Sequence, residues 1–355
     1  MDIDRRINGF CELGKILSDY VAVKREKKDK AIQSPSFNRL DEAVFKAGIE
    51  NPWFTEQNIL TAISSLALSL QRDNLIQWLQ PYSLKLARSK APSNIAVIMA
   101  GNIPLVGFHD FLCTLLAGQK FTGRLSSDDA RLLPAVSGIL ESVSPEFKTR
   151  ITFTQEKLTG FDAVIATGSN NSARYFQYYF GKYPHIIRKN RNAAAILTGA
   201  ETPDEMYGLA EDIFLYFGLG CRNVSKVYLP ENYEPGDLFP FFSEFGDYIQ
   251  HHKYCNNHDY NASVYMLNQI PFLDNGYCIL KEDNQLVSPV SVLFYEKYTD
   301  KEALVNHLMG VEDQLQVVVC REEVSFRSCR PGQAQHPALG DYADGVDTME
   351  FLTGL

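Results

Sequence analysis

Hydrophobic positions in the first part of the chain recur at helical spacing. Ile7, Phe10 and Leu13 lie three residues apart, and a second set of apolar residues follows Thr55, a residue type that commonly caps helices. This part is therefore predicted to be helical. A basic segment, residues 24–36, interrupts it, and that segment is either a solvated linker or an anion-binding patch.

From residue 93 onward, short apolar runs alternate with segments of helical pattern. Residues 94–99 form such a run, as expected for a strand buried in a parallel sheet. Further strands are predicted at residues 121–125, 151–154, 161–166 and 192–198. Thr202 and Glu205 then form a capping box at the start of a helix, with a proline between them. Strands that alternate with helices predict an α/β fold with a doubly wound parallel sheet.

The next part of the chain mixes strand and helix patterns in a less regular order. Strands are predicted at residues 277–280, 291–294 and 315–320, and helices around Phe239 and at residues 301–308. We interpret this part as a second α/β domain, followed by a loop-like tail.

Composition narrows the class of protein. The 355 residues suffice for two or three domains, and a 45% hydrophobic content is typical of globular proteins. A net charge of −9 argues against nucleic-acid binding, and no apolar run reaches the length of a transmembrane helix. The charged N-terminus lacks the apolar core of a signal peptide, and seven scattered cysteines suit reduced thiols. These features predict a cytoplasmic protein.

Cys221 lies between a helical run and a β-branched run, directly after Gly218 and Gly220. Glycine allows positive φ angles and a close approach of the backbone to a ligand. A thiol at such a boundary is accessible to substrate, and its own N–H can donate to a developing oxyanion. A buried structural thiol is the alternative, since that is the commoner role of a lone cysteine.

Two turns follow predicted strands, at the sheet edge where open α/β proteins bind ligands. In the first, Gly101 precedes Asn102, whose amide can donate to an oxyanion or simply close the turn. In the second, Thr167, Gly168 and Ser169 open a helix, where backbone N–H groups can hold a phosphate. Such a turn also occurs merely as a connection, and neither of the usual glycine-rich phosphate motifs is present.

A histidine-rich segment, residues 251–258, includes Cys255 and superficially resembles a metal cluster. It lacks a second ligand pair at a familiar spacing, so no metal is predicted. No Gly-x-Ser-x-Gly sequence is present, which argues against serine-based hydrolysis.

Taken in order, these loops resemble the aldehyde dehydrogenase superfamily. Its nucleophile pattern, Phe-x-x-x-Gly-x-x-Cys, is met by Phe214, Gly218 and Cys221. Its other motifs resemble Asn102-Ile-Pro104, Ala117 to Ser126 with Arg124 in place of a lysine, Thr167-Gly168-Ser169 and Ser288-Pro289-Val290. Residues 183–191 and 341–352 resemble the acyl-CoA reductases of the LuxC type, relatives of the fatty acid reductase of bacterial bioluminescence.

The resemblance implies a fold of four parts. These are an N-terminal helical region (1–88), a Rossmann-type nucleotide-binding domain (89–196), an α/β catalytic domain (197–335) and a C-terminal tail (336–355). It also implies a homodimer.

Two departures from the superfamily pattern bear on the reaction. Hydrolytic members carry a glutamate that activates water, but residues 186–190 contain no carboxylate. Exchange with a thiol needs no such base, which favours coenzyme A chemistry. Arg124 suits the 2′-phosphate of NADPH, since a guanidinium binds phosphate bidentately. Gln285 stands near the position of a glutamate that grips the nicotinamide ribose, so that contact is left open.

By resemblance, the expected activity is NADPH-dependent reduction of an acyl-CoA, of a fatty acyl chain, to the aldehyde through a thioester on Cys221. Asn102 and the Cys221 N–H would stabilise the oxyanion. The expected coenzyme-binding residues are Gly101, Arg124, Ser126, Thr167, Gly168 and Ser169. Two alternatives remain: an acyl-phosphate reductase of the same fold, and a non-catalytic protein that binds a nucleotide or acyl-CoA.

Overall fold

The computed structural model describes residues 1–26, 34–87, 91–322, 324 and 326–355. They form two compact units, Met1–Lys189 with Ala338–Leu355, and Asn190–Pro337. Most of the basic segment singled out above falls on residues 27–33, outside the described residues. Lys24, at the start of that segment, forms an ion pair with Asp41. No helix within the described ranges combines the length and apolar character needed to cross a membrane.

The first unit begins with the predicted helical region. Ile7, Phe10 and Leu13 are buried, so the helical spacing does place one face in the core. Thr55 caps its helix as predicted, because its hydroxyl accepts a hydrogen bond from the Asn58 N–H at 3.2 Å. The helices are α1 (Ile3–Arg25), α2 (Pro35–Glu50), α3 (Glu56–Ser69), α4 (Arg72–Leu79) and α5 (Ser83–Leu86), with a 3-10 turn at Gln80–Tyr82.

A parallel sheet follows these helices. Its strands are β1 (Asn94–Ile98), β2 (Lys120–Arg124), β3 (Ile151–Thr154), β4 (Ala163–Thr167) and β5 (His185–Arg188). Their order across the sheet is β3-β2-β1-β4-β5, and every neighbouring pair is parallel. The predicted doubly wound α/β sheet is therefore confirmed.

Helices cover both faces of this sheet. They are α6 (Phe108–Leu116), α7 (Leu132–Val143) and α8 (Asn170–Phe180), with 3-10 turns at Ser127–Asp129 and Pro145–Thr149. Ile95 and Val97 of β1 belong to the core shared with the N-terminal helices. Ala96 points to the opposite face, where Phe176 and Phe180 of α8 pack. Alternate side chains of a buried strand are thus apolar on both faces, which explains the continuous apolar run.

The second unit contains a larger sheet. Its strands are β6 (Asn192–Ile196), β7 (Val224–Pro230), β8 (Leu273–Asp274), β9 (Ile279–Glu282), β10 (Val292–Tyr298), β11 (Leu315–Cys320) and β12 (Ser328–Cys329). The order is β12-β11-β6-β7-β10-β9-β8, and only the pair of β8 with β9 is antiparallel among the described strands. Its helices are α9 (Pro203–Phe214), α10 (His252–Leu267) and α11 (Lys301–Gly310), with 3-10 segments at Leu215–Gly218, Pro235–Gln250 and Glu312–Gln314. The capping box of Thr202 and Glu205 opens α9 as predicted.

The division of the chain differs from the domain boundaries expected from the sequence. A boundary at residue 196 would place strand β6 in the first domain, but β6 pairs with β7 and β11 in the second sheet, and the units divide at Lys189 and Asn190. The N-terminal helices share one hydrophobic core with the first sheet instead of forming a separate region. Sequence order alone does not reveal which sheet accepts a strand.

The C-terminal segment belongs to the first unit instead of forming a loose tail. It ends in a 3-10 turn at Ala343–Gly345 and in α12 (Thr348–Gly354). The Tyr342 hydroxyl accepts a hydrogen bond from the Trp78 indole and contacts the Tyr82 hydroxyl, each at 2.9 Å. Tyr82 in turn donates to Asp347 at 2.6 Å. This buried polar network anchors the segment to the N-terminal helices.

A buried ion pair joins three elements of the first unit. Arg188 at the end of β5 donates to Asp110 of α6 at 2.6 Å and to the Thr348 hydroxyl of α12 at 3.0 Å. Both charged side chains are at most 10% exposed. Arg188 therefore has a structural role in this unit.

Removal of one partner should leave a buried charge without compensation. We expect Asp110→Ala to lower the free energy of unfolding by about 3–5 kcal/mol, and Asp110→Leu with Arg188→Met to recover most of that loss. The exposed pair of Glu50 with Arg131 supplies the control, since Glu50→Ala should cost at most about 1 kcal/mol. Urea unfolding measures all three, and a loss below 1 kcal/mol for Asp110→Ala would contradict the assignment.

Candidate functional site

The backbone before Cys221 has an unusual conformation. Helix α9 ends at Phe214, and the next residues include three in succession with positive φ: Tyr216 (56°), Phe217 (59°) and Gly218 (74°). Glycine adopts this conformation readily, but the two aromatic residues pay on the order of 1–3 kcal/mol each. Such strain persists only where surrounding contacts enforce it.

Aromatic packing supplies one of those contacts. The centroid of the Phe217 ring lies 4.4 Å from the ring centroid of Tyr248, 4.7 Å from that of His251 and 5.9 Å from that of Tyr254. His251 also caps α10, because its ring nitrogen accepts a hydrogen bond from the Tyr254 N–H. His258 contacts Asp274 at 3.0 Å. The histidine-rich segment thus supports the Cys221 loop, and the described residues contain no group of three metal-type side chains.

Cys221 itself is exposed, in contrast to the alternative of a buried structural thiol. It lies in a turn that the Asn223 N–H closes on the Gly220 carbonyl at 3.0 Å. Cys113, Cys278 and Cys320 are buried instead, and burial raises the pKa of each of these thiols. The Cys221 thiol is therefore accessible at an element boundary, whereas the thiols of Cys113, Cys278 and Cys320 pack in the core.

The turn is held by a side chain that sequence reasoning missed. Asn223 is buried, and its amide contacts the backbone on both sides of the strained segment. Asparagine often closes turns of this kind, so its position two residues after Cys221 was a usable signal.

A second missed residue is Asp212 of α9. Its carboxylate accepts hydrogen bonds from the Gly332 N–H at 2.7 Å and the Ala334 N–H at 3.0 Å. Burial raises the pKa of Asp212 to about 7, although the hydrogen bonds act in the opposite direction. No local pattern announces this role, because both partners lie far along the chain.

The expected coenzyme residues meet at one edge of the first sheet. The strand order reverses between β1 and β4, which are neighbours with Ile98 opposite Ala166. Gly101 and Asn102 follow β1, and the turn of Thr167, Gly168 and Ser169 follows β4. This is the topological switch point where doubly wound sheets bind their ligands. Arg124 ends β2 on the other side of β1 and is exposed.

Two glycines at this edge are required by close packing. A Cβ atom at Gly101 would lie 2.6 Å from the Ser126 hydroxyl oxygen, and one at Gly168 would lie 2.9 Å from atoms of Ser172 and Phe176. Ser169 caps α8, because its hydroxyl accepts a hydrogen bond from the Ser172 N–H at 3.1 Å. The backbone N–H groups in the first turn of α8 follow this cap, and a helix N-terminus of this kind suits a phosphate.

Other singled-out residues have different surroundings. Ser126 caps a 3-10 turn, since its hydroxyl accepts from the Asp128 N–H at 3.2 Å. Gln285 is exposed, and its backbone N–H donates to Asp283. Asn102 belongs to the first unit and Cys221 to the second.

A buried carboxylate braces the loop that carries Asn102. Leu105 in that loop has a φ of 60°, and its N–H donates to Asp129 Oδ2 at 2.8 Å. Asp129 Oδ1 is buried without a hydrogen-bond partner among the described residues. Burial raises the pKa of Asp129 to about 6, so the folded state holds this proton more tightly than the unfolded chain does.

Asp129 should therefore make stability depend on pH. Because the folded state binds the proton more tightly than the unfolded chain, its contribution is present below about pH 4 and is lost as pH rises through about 6. Asp129→Asn keeps an acceptor for the Leu105 N–H but cannot titrate. We expect its free energy of unfolding, relative to that of the wild type, to rise by about 2 kcal/mol between pH 4 and pH 7. Urea unfolding across this range measures the difference. If the difference in unfolding free energy between the two proteins does not change with pH, Asp129 is ionised in the folded protein throughout this range.

Comparisons with known proteins show where this fold occurs. No protein-family profile and no curated protein matches the sequence. Among solved structures, aldehyde dehydrogenase 21 from Physcomitrella patens, in complex with the reaction product succinate, has a TM-score of 0.61 at 12% identity, over 91% of this chain and 77% of that one. A putative methylmalonate-semialdehyde dehydrogenase from Sinorhizobium meliloti, complexed with NAD, has 0.60 at 12%, over 92% and 74%.

An aldehyde dehydrogenase from Mycobacterium tuberculosis, complexed with NAD+, has a TM-score of 0.55 at 12% identity, over 88% of this chain and 73% of that one. At such identities the likeness concerns the fold. The chain therefore has the aldehyde-dehydrogenase-like α/β fold that its motifs predicted.

Proposed function

We propose that this protein is an NADPH-dependent acyl-CoA reductase of the LuxC type that works through Cys221. The observation that carries the proposal is the exposed Cys221 thiol, held in a turn after strained backbone, in a chain with an aldehyde-dehydrogenase-like fold. Strained backbone clusters at functional sites, where it fixes a reactive group in place.

The chemistry assigned to Cys221 has two stages. Its thiolate attacks the thioester carbonyl, a carbon–sulfur bond forms, and coenzyme A leaves as a thiolate that takes up a proton. A bound nicotinamide coenzyme supplies the hydride for the second stage. The bond to Cys221 then breaks, the aldehyde departs and the thiolate is restored. Donation from the Asn102 amide and the Cys221 N–H would stabilise the negative charge on the carbonyl oxygen.

The first sheet offers residues that fit the coenzyme. Gly101 and Gly168 lie in turns at the carboxyl edge of that sheet, and Ser169 opens a helix of 11 residues with no acidic residue in its first turn. Thr167 leads into that turn, and Ser126 packs against Gly101. These groups would hold the pyrophosphate. Arg124, exposed at the end of the neighbouring β2, would hold the 2′-phosphate that distinguishes NADPH from NADH.

The lack of a water-activating carboxylate favours transfer to a thiol over hydrolysis. Residues 186–190 contain none, and Arg188 within them is engaged with Asp110. The same lack is compatible with an acyl phosphate, because phosphate also leaves readily, and that substrate is our second candidate. By resemblance, we further propose that the enzyme is a homodimer in the cytoplasm.

The first test follows NADPH absorbance with purified protein and acyl-CoAs of increasing chain length. We expect oxidation of NADPH with acyl-CoA, release of free coenzyme A, and a loss of at least about 10⁴-fold in Cys221→Ala, since the nucleophile carries both stages. Cys255→Ala, which removes a half-buried thiol of α10, should keep full activity.

Three outcomes would count against the acyl-CoA proposal. Activity that requires an acyl phosphate would favour the second candidate. Activity that survives in Cys221→Ala would exclude the thioester. If no substrate supports NADPH oxidation, a non-catalytic protein that binds a nucleotide or acyl-CoA would be the better explanation.

Coenzyme preference should depend on Arg124. We expect Arg124→Leu to lower kcat/KM for NADPH by about 10- to 100-fold, since hydrogen bonds to charged groups contribute roughly 1.5–3 kcal/mol. The value for NADH should change by less than about threefold, because NADH has no 2′-phosphate to lose contact with. Lys120→Leu at the exposed start of the same strand is the control and should affect neither. Equal losses with both coenzymes would remove Arg124 from the 2′-phosphate site.

A further inference from the structure

The Asn223 side chain both accepts and donates hydrogen bonds within one loop. It is 2% exposed, and its Oδ1 accepts a hydrogen bond from the Gly220 N–H at 2.7 Å. Its Nδ2 donates to three backbone carbonyls, those of Leu215 at 2.9 Å, Asp212 at 3.0 Å and Ile213 at 3.3 Å. Since an amide has two N–H groups, one of them is shared between two carbonyls.

These carbonyls explain why an amide is needed. The last carbonyls of a helix have no partner within it, and Asp212 and Ile213 belong to the final turn of α9. A carboxylate at position 223 would direct oxygen atoms at three carbonyl oxygens. An apolar side chain would leave both the carbonyls and the Gly220 N–H buried without this partner.

Asn223 also spans the strained segment. The left-handed residues Tyr216, Phe217 and Gly218 lie between Leu215, whose carbonyl accepts from the amide, and Gly220, whose N–H donates to it. One side chain therefore holds the backbone on both sides of the segment, while the aromatic cluster holds the Phe217 ring. Together these contacts enforce a conformation that two non-glycine residues otherwise avoid.

The same side chain determines the geometry of Cys221. Gly220 and Asn223 are joined by two reciprocal hydrogen bonds, N–H to carbonyl at 3.0 Å and N–H to Oδ1 at 2.7 Å. Cys221 is the second residue of the turn that these bonds close. That closure restricts its backbone angles, and with them the direction of its N–H and the position from which its thiol projects.

We propose that Asn223 is a positioning residue for Cys221, which fixes the turn so that the thiol and the adjacent N–H face the same acyl group. The inference rests on the proposed function, because it assigns a purpose to the geometry of a nucleophile. Asn223 does not touch the substrate and acts only through the turn.

The test compares Asn223→Ala with Asn275→Ala in the full-length protein. Asn275 closes a different turn of the same unit through its own Oδ1, which accepts from the Cys278 N–H at 2.8 Å, so its removal matches the loss of a turn-closing acceptor. We expect Asn223→Ala to lower kcat for acyl-CoA reduction about 100-fold with KM within about threefold, as a small misplacement of a reacting group does. Asn275→Ala should keep kcat.

A second measurement reads the thiol without any substrate. The rate of alkylation of Cys221 by iodoacetamide, followed by peptide mass spectrometry, should fall about tenfold in Asn223→Ala, because thiolate reactivity follows the local backbone and charge environment. Cys255 in the same sample should react at an unchanged rate. Asn223→Ser, which keeps one donor and one acceptor, should recover part of both values, and it carries the test if the alanine variant does not fold.

The outcomes separate this inference from the proposed function. Wild-type protein without acyl-CoA reductase activity would contradict the function, while alkylation would still measure whether Asn223 controls the thiol. Unchanged kcat and unchanged alkylation in folded Asn223→Ala or Asn223→Ser would overturn the inference. Equal effects of the Asn223 and Asn275 variants would also overturn it, since they would reflect stability alone.

Discussion

Parallel strand pairing is the constraint on which both units depend. Parallel strands need a crossover between them, so in the first unit helices α6, α7 and α8 follow β1, β2 and β4, and loops gather at the two edges of the sheet. The second sheet is also mainly parallel, although β8, β9 and β10 follow one another without a helix. In the first unit the reversal of order between β1 and β4 brings the turns of Asn102 and Ser169 to one carboxyl edge. In the second unit Cys221 precedes β7 and lies at the amino end of that strand. The proposed coenzyme site thus follows from strand order and direction, whereas the proposed nucleophile lies in the connection between α9 and β7.

Local patterns were sufficient to predict much of the fold. The strands β1 and β11 were predicted from their apolar residues, and the caps at Thr55 and Thr202 depend only on neighbouring residues. Strand β5 was not predicted, because it carries Arg188, whose burial depends on Asp110 and Thr348 far away in sequence. Likewise, the sequence did not indicate that β6 joins the second sheet, since pairing with β7 and β11 is a tertiary property.

In the candidate site, too, local features were predicted from the sequence and tertiary contacts were not. Cys221 and the glycines around it were found from sequence because residue type and element boundary are local features. The bracing side chains were missed, because the partner of Asp129 lies in another loop and Asn223 acts on the end of a preceding helix. A buried polar side chain that holds a strained loop is recognised only when its partners are visible. Such side chains determine geometry here, whereas the motif residues identify the chemistry.

If Cys221 carries the acyl group, intact-protein mass spectrometry should detect the thioester on it. The protein is incubated with an acyl-CoA in the absence of coenzyme, and digestion locates the modification. We expect a mass increase of one acyl group on the peptide that contains Cys221, and loss of this added mass when NADPH is supplied. An unmodified Cys221 peptide, or an acyl group on another residue that persists with NADPH, would contradict this expectation.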